Sequence, residues 1–358
     1  MKLPAYLLVM VLLFKSVLLS SQTCDSVRAC DCAAKDLSPS GIMLGHEHPK
    51  GIWKISYRYM SMMMDGNLSG TTKVDDNFVF NKYIMSPQNM RMDMHMVMAM
   101  YGVTNRLSLM AMFNYNASSM NMNSLPGTMN MTMNGSGGMM SSNNSNTMSS
   151  KTSGLGDTKL YAVYSIINHN VHHILLSGGI SLPTGSIQMK GKSDDMMYPS
   201  QRFPYMMQMG SGTFDFMPGI TYLLKQNKAS LSAQITSVIR PFNNSLNYRL
   251  GNEFTFNVWS AYRWFPWVSS SVRIEGSSVG AINGYDPSLY GVLEPSATSL
   301  NYGGQIVKSY LGLNFYLNRG WLKNNKLSVE YGMPVYQNVN GVQLALKSTI
   351  YAGWMISF

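Results

Sequence analysis

Apolar and polar residues alternate along much of this chain, in stretches long enough to cross a bilayer as strands. Trp53, Ile55, Tyr57 and Tyr59 share one parity, while Lys54, Ser56 and Arg58 share the other. Phe254, Phe256, Val258 and Tyr262 likewise oppose Glu253, Thr255, Asn257 and Arg263. Further on, Val272 and Ile274 oppose Arg273 and Glu275, and Leu311, Leu313, Phe315 and Leu317 oppose Lys308, Tyr310, Gly312 and Asn314. A period of two sends neighbouring side chains to opposite faces, and a transmembrane strand needs about 9–11 residues. Twelve segments qualify. They are Trp53–Met63, Met90–Tyr101, Leu107–Asn116, Thr158–Asn168, Val171–Leu182, Phe214–Lys225, Ala229–Arg240, Glu253–Trp264, Val268–Gly276, Lys308–Leu317, Lys326–Met333 and Val342–Phe358.

The connections carry more weight than any one segment. Every second one is tight: 102–106, 169–170, 226–228, 265–267 and 318–325. The others, 64–89, 117–157, 183–213, 241–252, 277–307 and 334–341, are as long or longer. That alternation predicts an all-β fold, a closed antiparallel transmembrane β-barrel of about 12 strands with short periplasmic turns and long outer loops. A soluble sandwich has no reason to keep its long loops at one end.

A charge on the lipid face at mid-bilayer costs roughly 2–4 kcal/mol, so charges mark the lumen. The predicted lumen residues are Lys54, Arg58, Arg91, Asp93, His95, Lys159, Asp215, Glu253, Arg263, Arg273, Glu275, Lys308, Glu330 and Lys347. In the second segment this rule sends the row Met90, Met92, Met94, Met96, Met98 and Met100 out to lipid, because Arg91, Asp93 and His95 hold the other parity. In the third, Leu107, Leu109, Phe113 and Tyr115 take the lipid side and leave Met110 and Met112 facing inward.

The ends fit an outer-membrane protein. Residues 1–21 read as a signal peptide: Lys2, an apolar run from Leu7 to Phe14, then a small polar exit with cleavage near Ser21 or Thr23. Residues 22–50 form an N-terminal periplasmic segment, and 51–358 form the barrel. Ile350, Ala352, Trp354, Ile356 and Phe358 make one apolar face ending on an aromatic, the kind of C-terminal strand that barrel-insertion machinery recognises. Besides that machinery, the expected partners are outer-membrane lipid and a small-molecule solute or soft metal ion. Charged residues are only 12% of the chain, and its +10 net charge is scattered singly, so nucleic acid is not an expected partner. No later stretch has eighteen consecutive apolar residues, and no Gly-x-Ser-x-Gly elbow is present, which argues against helical spans and against a barrel hydrolase.

Sulfur is the compositional anomaly, with 33 methionines, most of them between Met60 and Met148. The outer loop 117–157 carries Met120, Met122, Met129, Met131 and Met133 amid Ser, Asn and Gly, and is expected to be poorly ordered. Thioethers select Cu(I), and Ag(I) by the same softness, so these residues with Met110 and Met112 form one candidate metal set. Cys30 and Cys32, followed by His46 and His48, form a second; Cys24 completes the cysteines, which either pair as a disulfide or bind metal. Their spacing matches no standard zinc pattern. No cofactor is required beyond this possible Cu(I) or Ag(I).

Residues from about His46 to Phe358 resemble the outer-membrane transporter family of the MetA pathway of phenol degradation. The carrying residues include His46-Glu-His48-Pro-Lys-Gly-Ile-Trp53, Ser56-Tyr57-Arg58-Tyr59-Met60, Met92-Asp-Met94-His95-Met96 and Leu107-Ser-Leu-Met110-Ala-Met112. Others are Ser153-Gly-Leu-Gly-Asp157, Leu182-Pro-Thr-Gly185, Gly210-Ser-Gly-Thr213, Tyr248-Arg-Leu-Gly251, Asp286-Pro287 and Gly332-Met-Pro-Val-Tyr336. The resemblance implies a barrel that passes small molecules and assigns no functional residues. In composition the chain is also similar to outer-membrane copper-resistance barrels. Two functions are therefore expected: a channel or transporter for small solutes, hydrophobic or aromatic ones included, or a copper- or silver-binding or export protein. The chain is too short to add a plug domain to a large barrel.

Overall fold

The computed structural model describes residues 36–45, 49–125, 147–191, 201–317 and 324–358. The signal-peptide residues, Cys24, Cys30, Cys32, His46, His48, Met129, Met131 and Met133 lie outside the described residues. The strands are β1 (Trp53–Gly70), β2 (Met85–Gly102), β3 (Leu107–Ser124), β4 (Thr158–His169), β5 (His172–Leu182) and β6 (Gly219–Lys225). They continue as β7 (Ala229–Val238), β8 (Glu253–Phe265), β9 (Val268–Val279), β10 (Gly304–Leu317) and β11 (Asn325–Ser357). Each is antiparallel to the next, and β11 pairs back onto β1, closing a ladder of eleven elements.

The last element makes two passes. A straight strand of its 33 residues, at about 3.3 Å each, would run roughly 110 Å, several times the hydrocarbon core. Instead residues 325–339 pair with β10 and residues 339–357 with β1. Gly341 adopts φ +60°, a value glycine takes without penalty, and the Gln337 side chain ties the arms through the Leu346 amide (2.8 Å) and carbonyl (3.0 Å). Twelve passes and their antiparallel order therefore match the expectation. Closure leaves no unpaired edge in lipid, where an unsatisfied backbone group costs several kcal/mol.

Large apolar side chains cover the outside: Ile55, Val97, Leu109, Leu176, Ile235, Phe256, Ile274, Leu313 and Val329 are all exposed. A monomeric soluble protein does not present so continuous a band. At the end holding the tight turns and Phe358, Trp53 packs on Tyr101 (4.7 Å between centroids) and Phe265 on Trp267 (5.9 Å), an aromatic girdle. This is a transmembrane β-barrel of the bacterial outer membrane. Among the described residues no helix is long and apolar enough to cross a bilayer.

β1, β2 and β3 have 18 residues each, well beyond the bilayer requirement. Their outer ends continue as sheet, and the strand Thr147–Leu155 pairs with β3 from Tyr115 to Asn123. The expectation of a poorly ordered loop over 117–157 is corrected for 117–124 and 147–155, which satisfy each other's backbone groups. The remainder, 126–146, lies outside the described residues.

Candidate functional site in the barrel lumen

Pairing register decides which face of each strand looks inward. Lys54, Ser56 and Arg58 of β1 stand opposite Met100, Met98 and Met96 of β2, and directly paired residues share a face. Lys54 and Ser56 are buried, so the methionine row of β2 lines the lumen. This overturns the expectation that the row faces lipid. It also moves Arg91, Asp93 and His95 to the outside, together with Val97, Ala99 and Tyr101. There the Arg91 side chain is 53% exposed, and its Nε lies 2.9 Å from Asp93 Oδ2. Tyr59 donates to Asp93 at 2.6 Å, and the Tyr57 hydroxyl lies 2.7 Å from His95 Nδ1. On that outer face the three side chains and the Tyr57 and Tyr59 hydroxyls satisfy one another, Arg91 also donating to Tyr59 at 3.1 Å, which offsets the cost of polar groups there.

Methionines of adjacent strands meet as rungs across this inner wall. Met64 pairs with Met90 and Met90 with Met120; Met62 pairs with Met92, and Met60 with Met94. Lower down Met98 pairs with Met112 and Met100 with Met110, while near the top Met122 pairs with Met148. Met110 and Met112 are buried inward, as expected. Met120 and Met122, expected in a flexible loop, are instead strand residues with 1% and 0% exposure. Toward the periplasm the wall packs with Leu175, Leu223 and Trp259, and toward the outside with Phe203, Met207, Leu344 and Leu346.

The other arc of the lumen is ionic. Arg273, almost completely buried, donates to Glu330 (2.8 Å), Glu275 (2.5 Å) and Asn257 (2.8 Å), and its guanidinium lies 3.7 Å from the Tyr310 ring centroid. Lys308 also pairs with Glu275. Arg263 sits over the Tyr316 ring at 4.9 Å. Half-buried Lys159 stands opposite inward Met112, and Glu253 accepts from Thr255 at 3.3 Å. Asp215 holds Arg240 (3.2 Å) at the outer end of the ring, where Thr213 also donates to it. Lys347 departs from the expectation: it pairs with Asp65 at 2.9 Å, and both side chains are 57% exposed. Register shifts between Met63 and Met64 and between Met64 and Asn67 accompany that stretch, where β1 and β11 run on past the bilayer.

Two predicted lumen cations, Lys54 and Arg58, together with Lys326, which was not among the predicted set, hold a plug that the sequence did not reveal. Residues 36–45 enter the barrel, correcting the expectation that this part of the 22–50 segment is periplasmic. Lys326 donates to the carbonyls of Asp36 (3.0 Å) and Ser38 (2.8 Å), Arg58 to that of Ile42 (3.1 Å), and Thr221 to that of Leu44 (3.3 Å). Asp36 lies 3.6 Å from Lys54, and the Gly41 amide donates to Glu330 at 2.6 Å. Ile42 and Leu44 pack against the methionine wall. The cavity left between segment and wall, about 30 Å³, has room for a water or two. The segment shows no periodicity, so its burial follows only from ring closure. Pro39 and Gly41 were its sole visible signals.

The outer mouth is closed by loops that carry several of the quoted motifs. Asp157 accepts from the amides of Gly185 (2.9 Å) and Ser211 (2.7 Å) and from the Ser211 hydroxyl (2.9 Å). Tyr205 packs edge-on against Tyr248, and its hydroxyl oxygen accepts the Asp286 amide at 2.9 Å. Burial alone would raise the Asp286 carboxyl, but bonds from Arg202 and Ser288 outweigh it and hold it below the usual carboxylate range. Beside them, burial pushes the Glu294 carboxyl up to about 8 against a bond from Ser296. Among the described residues no group of three His, Cys, Asp or Glu side chains is placed to hold a metal ion.

No protein-family model and no curated protein matches the sequence. The fold is similar to the crystal structure of an outer-membrane channel of Pseudomonas putida F1, with a TM-score of 0.56 at 13% identity, covering 87% of this chain and 96% of that one. Likenesses to a Pseudomonas aeruginosa FadL homologue (TM-score 0.41, 10% identity, 86% and 90% covered) and to the transport unit of the Escherichia coli autotransporter AIDA-I (0.45, 8%, 88% and 93%) are too remote to bear on function.

Proposed function

We propose that this barrel is an outer-membrane channel or transporter for small solutes, closed in the present conformation by its own residues 36–45. The observation that carries the reading is how the lumen is filled. Its periplasmic half is stopped by a separate segment held through hydrogen bonds and ion pairs, rather than by inward side chains of the wall alone. A twelve-pass ring is intermediate between barrels that side chains fill and open porins, so removing such a segment and loosening the loops at the outer mouth leaves a path. The chain has a transport role and no catalytic one on this reading. Two cargo classes suit it: small hydrophobic or aromatic molecules, which the resemblance implies, and soft metal ions, which the sulfur content implies.

Gly41 supplies the test. A Cβ at this position would come within 2.2 Å of the Arg273 guanidinium, so a valine unseats the plug. Parent and Gly41→Val/Asp157→Ala proteins, the second with both the plug and the outer-mouth loops loosened, are reconstituted into liposomes, and permeation of K⁺ and of small neutral solutes is measured. The reading expects the variant to pass both faster than the parent. Failure of both proteins to pass any solute contradicts it.

A further inference from the structure

We infer that the methionine wall is a conduit for monovalent soft cations, Cu(I) and Ag(I), with a three-sulfur binding step at Met64, Met90 and Met120. The inference rests on the channel reading and names the cargo of the same lumen.

The geometry favours one ion shared by three sulfurs. Met64, Met90 and Met120 are consecutive cross-strand partners, so their Cβ atoms stand about 4.5–5.5 Å apart on one face. All three are buried inside the lumen. A methionine side chain has three rotatable bonds, enough for three neighbouring thioethers to converge on one ion. Below this rung β2 presents a methionine at every second residue, one step each ~6.7 Å, down to the Met100–Met110 rung beside the plug. Neutral thioethers bind soft cations in preference to hard ones. A series of weak, closely spaced sites holds an ion firmly enough to admit it and loosely enough to pass it on.

Packing alone does not account for the pattern. Barrel interiors are usually polar, and a dry core needs apolar volume rather than sulfur. Where this lumen is apolar on other strands it uses Val163, Leu175, Leu223 and Trp259. The cross-strand methionine rungs are confined to the sheet formed by β1, β2, β3 and the strand paired to β3.

The test uses the full chain in the Gly41→Val/Asp157→Ala background, so that neither the plug nor the outer loops mask the path, with Ag⁺ as probe and K⁺ and glycerol as controls. Met64, Met90 and Met120 are changed together to leucine, which keeps most of the volume and removes the sulfur. A Met90→Leu variant covers the case in which the triple variant fails to give a heat-modifiable folded barrel. Met63→Leu/Met333→Leu, both lipid-facing, is the control. The inference expects Ag⁺ flux to fall at least tenfold in the triple variant and severalfold in Met90→Leu, with K⁺ and glycerol flux unchanged and the control like its background. The methyl NMR signals of the three residues should shift on Ag⁺ addition. Undiminished Ag⁺ flux alongside normal K⁺ and glycerol flux overturns the conduit and leaves the channel standing. Absence of all flux defeats the channel reading and the conduit with it; unshifted methyl signals overturn the binding step in either case.

Discussion

Replacing Arg273 by leucine should destabilise the barrel by about 3 kcal/mol, and replacing Glu330 as well should restore most of that. Arg273 is buried with Glu330, Glu275, Asn257 and the Tyr310 ring around it. Leucine retains part of the packing but leaves Glu330 with the Gly41 amide as its remaining bond in the hydrogen-bond set described, while Glu275 keeps Lys308. Removing one partner of a buried pair costs roughly 3–5 kcal/mol, because the other charge stays behind; the lower end applies where one carboxylate keeps a second cation. In Arg273→Leu/Glu330→Leu both members of the most buried pair are gone, so the loss should be about 1 kcal/mol. Urea unfolding in lipid vesicles of the parent, Arg273→Leu, Glu330→Leu and the double variant, followed by tryptophan fluorescence, gives the four stabilities and the coupling between the sites. A single variant within about 1 kcal/mol of the parent, or a double variant as unstable as the sum of the two singles, would refute the reasoning.

The outer closure makes two more expectations. Asp157→Ala removes the acceptor of three hydrogen bonds, each worth about 1.5–3 kcal/mol to a charged group, and should lower hydrogen-exchange protection of residues 203–213 by at least tenfold while the barrel strands stay protected. Glu294, with its folded pKa raised to about 8 from 4.5, contributes stability that is fully present below pH 4.5 and is lost as pH rises toward 8, by no more than about 1.4 kcal/mol per unit; Glu294→Gln should flatten that dependence, and an unchanged pH profile counts against the burial argument.

Most of the ring was legible because two signals agreed: parity within β1, β8, β9 and β10, and the alternation of tight and long connections. The face assignment alone failed on β2. The charge rule chose the wrong face there, since Arg91, Asp93 and His95 share their outward face with Val97, Ala99 and Tyr101. Those three residues were the available signal, and the Lys54–Met100 and Arg58–Met96 pairings would have settled it, but register between strands is not written in either strand alone. The plug was illegible for a related reason. Residues 36–45 bury themselves against side chains contributed by β1, β6, β8, β9, β10 and β11 and by the methionine wall of β2 and β3, with hydrogen-bond partners from 16 to 290 positions away. Met120 and Met122 were placed in a loop because their strand continues past the length a bilayer requires.

The sulfur-lined lumen rests on the face that β2 turns inward, and that face can be read with two single cysteines. Met94→Cys and His95→Cys proteins in bilayers are exposed to a lipid-soluble maleimide that reaches the barrel exterior. Labelling of Cys at position 95 with protection at position 94 is the result this structure predicts. Labelling at 94 with protection at 95 would turn the methionine row back to lipid and contradict the account.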